Sequence, residues 1–383
     1  MPQPRIYMDN AATTALRPEV VQAMLPYWTE RIGNPSAIHR FGREARRAVE
    51  DARRQTAAAL NADAREIFFT SGGTESDNWA IRGVCEALQD KGRHVVTTQI
   101  EHPAVLQTCA ELERCGWRIT RLPVNGDCLV DPSDVQKAIR DDTVLISVMT
   151  ANNETGVLQP IADIGRIARD AGVCFHTDAV QAVGEIPVDV EALNVDLLSL
   201  SGHKLHGPKG VGALYVRKGV RLRNLILGGE QEHGRRAGTE NVPAIVGLGV
   251  AMECAARDWP IHNRQVSALS RRLVQGVQSA LPGVRLNGHA TLRLPGNVNL
   301  SAEGVQGEAL LMRLDLEGVA ASSGSACASG SPEPSHVLLA MGLTPDEARA
   351  SLRLSLSDEN TLEEVERVVA LIVSIVQDLR RAR

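Results

Sequence analysis

The sequence predicts an α/β protein: a large domain on a mainly parallel sheet, followed by a smaller α+β domain. Three observations predict it. Short apolar runs alternate with amphipathic stretches along much of the chain. Several of these runs are apolar throughout, as strands covered on both faces are. The texture then changes near residue 242, where a long helical run begins.

Taken in order, the expected strands are Glu66–Thr70, His94–Thr98, Trp117–Leu122, Val144–Met149, Val173–Thr177, Leu197–Leu200 and Val211–Val216. Between them Glu75–Gln89, Pro103–Arg114, Pro132–Arg140 and Ile161–Ala171 space their apolar residues as helices do. Strand, helix, strand is the pattern of parallel crossovers. Val211–Val216 follows its predecessor through a Gly-rich loop with no helix, which suits an antiparallel strand. Beyond the helical run at about 242–280, Arg293–Leu300 and Leu352–Ser357 read as strands, and the charged helix Leu362–Arg380 closes the chain. The expected large domain is 15–259. The expected small domain is 1–14 with 260–383, and it carries a Gly/Ser-rich loop at about 322–333 that reads as flexible.

Composition narrows the function. A chain of 383 residues suits two domains at roughly 150 residues each, and 43% apolar residues suffice for a sizeable core. The net charge is 41 − 46 = −5, and aromatics are 3%, so neither charge-driven nor stacking-based nucleic-acid binding is expected. The longest apolar stretch, Val368–Val373, has six residues against the roughly 20 of a membrane span. The opening MPQPRIYMDN has no apolar core of a secretory signal. Seven cysteines with no C-x-x-C pair suggest a reduced, cytoplasmic protein and no resident metal site. Only five lysines occur, Lys91, Lys137, Lys204, Lys209 and Lys218, so amine chemistry has few candidates.

Three motifs follow strands. Ser71–Ser76 (SGGTES) opens a helix, where glycines and free N–H groups suit a phosphate, although a plain helix cap reads the same way. Asp178 ends the apolar strand VCFHTDA, where a doubly wound sheet places ligands, or else it is structural. In Ser201–Gly210 (SGHKLHGPKG), Lys204 sits among Ser201, His203 and His206, where an apolar strand end can tune an amine for imine chemistry. Lys209 is its rival but reads as a turn residue. Together a phosphate cradle, a strand-end Asp and such a lysine match the needs of pyridoxal phosphate, whose pyridine nitrogen the Asp keeps protonated.

Further candidates lie at other strand ends. His102 can move protons near pH 7, and Asn153 can bond the ring oxygen or the substrate. Cys327 stands among Gly, Ala and Ser, while the other six cysteines read as small buried hydrophobes. A thiol on such a loop can swing to a substrate. Arg353 alternates with Leu352 and Leu354, which by pattern alone reads as an exposed strand arginine.

These motifs resemble the cysteine desulfurases of the NifS/IscS type, of the class V aminotransferase family. The match runs through YMDNAATT (Tyr7–Thr14), GNPSAIHRFG (Gly33–Gly42), FTSGGTESDN (Phe69–Asn78), EHPAV (Glu101–Val105), ANNETG (Ala151–Gly156), FHTDAVQAVG (Phe175–Gly184), LSGHKLHGPKGVG (Leu200–Gly212), RRAGTEN (Arg235–Asn241) and SSGSACASGSPEPSHVL (Ser322–Leu338). The compact C-terminus is closest to NifS. The resemblance implies a fold-type I transferase dependent on pyridoxal 5'-phosphate, working as a homodimer. It implies conversion of L-cysteine to L-alanine, with the sulfur leaving as a Cys327 persulfide for an iron–sulfur scaffold protein of the NifU/IscU kind. Nitrogenase maturation and general cluster assembly both fit, and so does a transient iron–sulfur ligand role for Cys327 on the scaffold. By the same resemblance Lys204 carries the cofactor, Asp178 pairs with its ring nitrogen, His102 stacks on the ring and Gln181 bonds its hydroxyl. Gly73, Thr74, Ser201 and His203 hold its phosphate, with Thr239 arriving from the partner subunit. Asn153 and Arg353 contact the substrate. A selenocysteine lyase or another C–S lyase on the same fold is the alternative.

Overall fold

The computed structural model describes residues 5–323 and 333–382. Its strands are β1 (Ile6–Tyr7), β2 (Ile67–Thr70), β3 (His94–Thr98), β4 (Arg118–Leu122), β5 (Thr143–Ser147), β6 (Cys174–Asp178), β7 (Leu197–Ser201), β8 (Gly212–Val216), β9 (Val284–Leu286), β10 (Asn297–Ala302), β11 (Val319–Ala320) and β12 (Ser351–Ser355). Its helices are α1 (Pro18–Thr29), α2 (Arg40–Leu60), α3 (Gly73–Leu88), α4 (Pro103–Arg114), α5 (Pro132–Ala138), α6 (Ile161–Ala171), α7 (Gln231–Gly234), α8 (Val242–Ala280), α9 (Gly307–Leu316), α10 (His336–Ala340), α11 (Pro345–Arg349) and α12 (Leu362–Arg381).

The central sheet has the order β2-β8-β7-β6-β5-β3-β4. All pairs are parallel except those of β8, which runs against both β2 and β7. The segment before β8, with one 3-10 turn at Gly202–Lys204 and no α-helix, therefore does make an antiparallel return. Every residue of β3, β5, β7 and β8 is buried, because helices cover both faces. One core gathers α2, α6 and the first part of α8 on one side of the sheet. A second lies under α3 and α4 on the other.

A three-stranded sheet, β12-β10-β9, forms a separate core with α12, α9 and the second half of α8. Its first large strand begins at Asn297 and not at Arg293 as expected, since Pro295 and Gly296 interrupt the run. Ile6 and Met8 join this core, so the start of the described chain packs against its end. No helix among the described residues is long and apolar enough to cross a membrane. The expectation of uniformly buried cysteines holds for Cys85, Cys109, Cys128 and Cys254, while Cys174 is half-buried. Cys115 is exposed, because α4 ends there and the apolar face stops with it.

Candidate active site

The carboxyl ends of β2, β3, β5, β6 and β7 open on one cavity of about 410 Å³. Ten of the expected residues line it: Gly73, Thr74, His102, Asn153, Asp178, Gln181, Ser201, His203, Lys204 and Arg353. Nine of them sit at the carboxyl ends of central-sheet strands or in the turns that follow, brought together by parallel strand direction, and Arg353 reaches in from β12 of the other sheet. Cys327 lies outside the described residues. Thr239 does not line the cavity and is exposed on the loop after α7.

The turn between β2 and α3 places a helix N-terminus at the cavity. No side chain caps it, and the first backbone N–H bonded within the helix is that of Ser76, to the Gly72 carbonyl. The N–H groups of Gly73, Thr74 and Glu75 have no acceptor among the described residues, and they carry the positive end of the helix dipole. Gly72 has φ +150°, and a Cβ on Gly73 would stand 2.6 Å from Val180 Cγ2. Glycine is thus required by close approach.

Asp178 is buried, and one carboxylate oxygen accepts the Val180 N–H at 2.9 Å. Burial pushes its pKa up, and the nearby His102 and Lys204 only partly oppose this. A cation facing this carboxylate from the cavity would offset that burial. His102 caps α4, with its Nδ1 accepting the Ala104 N–H at 3.1 Å. That bond reserves Nδ1 as an acceptor and leaves Nε2 to carry the ring's proton. Burial, with help from Lys204 and Lys209, pulls His203 down to about 4, so it is neutral and able to donate without adding charge.

One wall comes from the distant segment Asp9–Thr14. Lys204 Nζ donates to the carbonyls of Ala11 and Ala12, the second at 2.9 Å. Gln181 Nε2 donates to Ala11 O at 3.0 Å, and the Thr13 hydroxyl lies 3.2 Å from His203 Nδ1. Arg353 is 1% exposed, which overturns its reading as an exposed strand arginine. It pairs with Asp9 at 2.8 Å and donates to Asn153 O at 2.9 Å. Its Nε is buried with no hydrogen-bond partner among the described residues, so the fork retains a donor beside the cavity.

Sequence reasoning missed Asp9 as the partner of Arg353. It also missed a layer of polar groups beneath Asp178, made of Asp77, Glu101, His176 and Ser199. Those residues sit on neighbouring strands and helices, and nothing in their spacing connects them.

The pattern of the family described as aminotransferase class-V matches residues 6–368. The chain belongs to that family. A cysteine desulfurase IscS from Methanosarcina thermophila is 55% identical over 375 residues, covering 98% of this chain and 93% of that protein. The cysteine desulfurase IscS of a Clostridium botulinum strain is 50% identical over 378 residues, covering 98% and 95%. Among solved structures, a NifS-like protein superposes with a TM-score of 0.93 at 38% identity, covering 98% of this chain and all of that one. SspA in complex with cysteine gives 0.82 at 38% identity, covering 93% and 100%. The chain thus stands in the cysteine desulfurase branch of a pyridoxal-phosphate family.

Proposed function

We infer that this enzyme is a cysteine desulfurase that uses pyridoxal 5'-phosphate, converts L-cysteine to L-alanine and retains the sulfur on Cys327. The observation that carries the reading is the single cavity holding Lys204, Asp178 and His102 between an uncapped helix N-terminus and the Arg353 fork. The residues present fit the cofactor. Gly73, Thr74, Ser201 and His203 surround the place for its phosphate, Asp178 that for its ring nitrogen, and Lys204 that for its aldehyde. When bound, the cofactor withdraws electrons from the substrate's α-carbon. Arg353 binds the substrate carboxylate, with Asn153 beside it. Lys204 Nζ receives the α-proton, and the carbonyls of Ala11 and Ala12 stabilise its ammonium form. Cys327, as thiolate, attacks the substrate sulfur. The new S–S bond makes a persulfide, the C–S electron pair returns to carbon, and protonation there yields alanine.

Residues 15–259 serve as the cofactor unit, and 1–14 with 260–383 as the unit carrying the sulfur acceptor. Exposed Leu25, Trp28, Ile32, Ile38 and Phe41 support a homodimer, with Thr239 completing the partner's phosphate site. The six described cysteines are unpaired, which supports a cytoplasmic enzyme handing sulfur to an iron–sulfur scaffold.

The test is alanine and sulfide release from L-cysteine with a reductant, wild type against Cys327→Ala. Equal release of both by wild type and neither by the variant is expected. Full activity in the variant would move the function to a direct C–S or C–Se lyase.

A further inference from the structure

Asp77, in the second turn of α3, is 1% exposed. Polar atoms of Asp77, His102 and Asp178 all lie within 4.8 Å of one another. One Asp77 oxygen, Oδ1, has no hydrogen-bond partner among the described residues, although His176 Nε2 stands 3.6 Å away. Behind it runs a chain of neutral donors. Ser147 Oγ is 2.9 Å from His176 Nδ1, and His176 Nε2 is 3.0 Å from Ser199 Oγ. Ser199 in turn reaches the Asp77 carboxyl. Burial pulls His176 down to about 3, so it brings no positive charge to this layer. Glu101, fully buried nearby, accepts the Thr98 hydroxyl at 2.7 Å and the Met149 N–H at 3.0 Å, and its other oxygen has no hydrogen-bond partner among the described residues.

Three carboxyl groups therefore share one dry region, and His102 and Lys204 are the basic groups facing it from the cavity side. Carboxylates this close in low dielectric cannot all ionise. Both Asp77 and Asp178 line the cavity, and Asp178, the more exposed at the end of β6, is the one that His102 and Lys204 face. Asp77 has the deeper position, with the like charge of Asp178 beside it, and burial pushes it well above the usual carboxyl range.

We propose that Asp77 is a neutral carboxylic acid at working pH, a positioning residue that confines the negative charge beneath the cofactor site to Asp178. This rests on the reading that Asp178 faces the ring nitrogen. A neutral acid here does what an apolar residue cannot, because it also accepts from Ser199 and so completes the buried donor chain. The site then offers one charge to one cation, and the ring nitrogen is not held by two carboxylates.

The test compares wild type, Asp77→Asn and Asp77→Leu, each loaded with pyridoxal phosphate. Infrared difference spectra between wild type and Asp77→Asn report the C=O stretch of a protonated carboxyl. The pH midpoint of the cofactor's visible absorbance and the cofactor Kd are read alongside. The protonated band is expected in wild type at pH 8 and absent from Asp77→Asn. The amide variant keeps Kd within about twofold and the midpoint within about 0.3 unit. Asp77→Leu, which orphans Ser199, weakens cofactor binding about tenfold, and the amide rescues it. A midpoint that falls by a unit or more in Asp77→Asn would show that Asp77 is charged and overturn the proposal. Should neither variant fold, the wild-type enzyme with isotope-labelled aspartate carboxyls decides alone, since no shifted protonated-carboxyl band at pH 8 also overturns it. Were the cofactor assignment itself wrong, wild type would show no visible absorbance at all, which is a separate outcome.

Discussion

The buried pair between Arg53 of α2 and Glu232 of α7 can be tested quantitatively. Each side chain is 3% exposed, and the fork is bidentate, with both N···O distances 2.8 Å. Glu232 also accepts the Phe69 N–H at 2.8 Å, and the guanidinium lies 4.8 Å from the Phe69 ring centroid. Glu232 and His233 both take left-handed backbone, φ 47° and 56°, so this contact holds a strained turn just ahead of Thr239. Glu232→Gln keeps the shape and removes the charge, leaving a buried cation whose remaining anionic partner among the described residues is the half-exposed Glu50, beside the Ile67 carbonyl that accepts from it. Breaking a buried pair in this way costs about 3–5 kcal/mol. At roughly 2.1 cal/mol/K per residue, 383 residues unfolding together give an unfolding entropy near 0.8 kcal/mol/K, so Tm should fall by about 4–6 °C. Urea unfolding followed by tryptophan fluorescence would measure this through the midpoint at constant slope. Arg53→Met should cost a similar amount, and the double variant Arg53→Met/Glu232→Gln should cost far less than the sum. Strict additivity, or a loss below about 1 kcal/mol in either single variant, would refute the reasoning.

Two other outcomes follow from the site. Arg353→Lys exchanges a fork held by Asp9 and Asn153 for a point charge. KM for cysteine should rise about 10- to 100-fold with a smaller change in kcat, the range expected for losing one charge-assisted bond, and an unchanged KM would remove Arg353 from substrate binding. Burial pushes Glu101 up to about 8. Above the unfolded carboxyl pKa of roughly 4.3, the folded protein still holds a proton that the unfolded chain has released. Stability should therefore decline by a few kcal/mol as pH rises through that window, and Glu101→Gln should flatten the profile in denaturant titrations across pH.

Much of this arrangement could be read along the chain. His94–Thr98, Pro103–Arg114, Ile161–Ala171 and Val242–Ala280 match their expected bounds, because each combines a clean period with a Pro or Gly boundary. Strand ends carried most of the site, so nine of the ten cavity residues were legible from motifs that follow apolar runs. What escaped the reading depends on contacts between distant segments. Arg353 alternates with leucines and so looked solvent-facing, yet Asp9 arrives from 344 positions away to bury and pair it. Arg53 is one of several arginines along α2, and nothing local marks it as the buried one. Asp77 lies inside a motif whose glycines drew attention, while its own environment is made by β6, β7 and the loop before α4.

The wall formed by Asp9–Thr14 has a consequence for how the enzyme comes into being. Asn10 donates its side-chain amide to the Ser355 carbonyl at 2.9 Å, and the Ala11 N–H donates to the Ser355 hydroxyl at 2.8 Å. These contacts join residues 345 and 344 positions apart, so one side leaves the ribosome long before the other. The ribosome can release the central sheet and its helices while this wall still lacks the strand it rests on. The carbonyls that receive the Lys204 amine, and the aspartate that aims Arg353, reach their stations only when β12 has emerged. Maturation of the catalytic chamber therefore waits on β12. A nascent or C-terminally truncated chain can carry every catalytic motif upstream of β12 and still be inert.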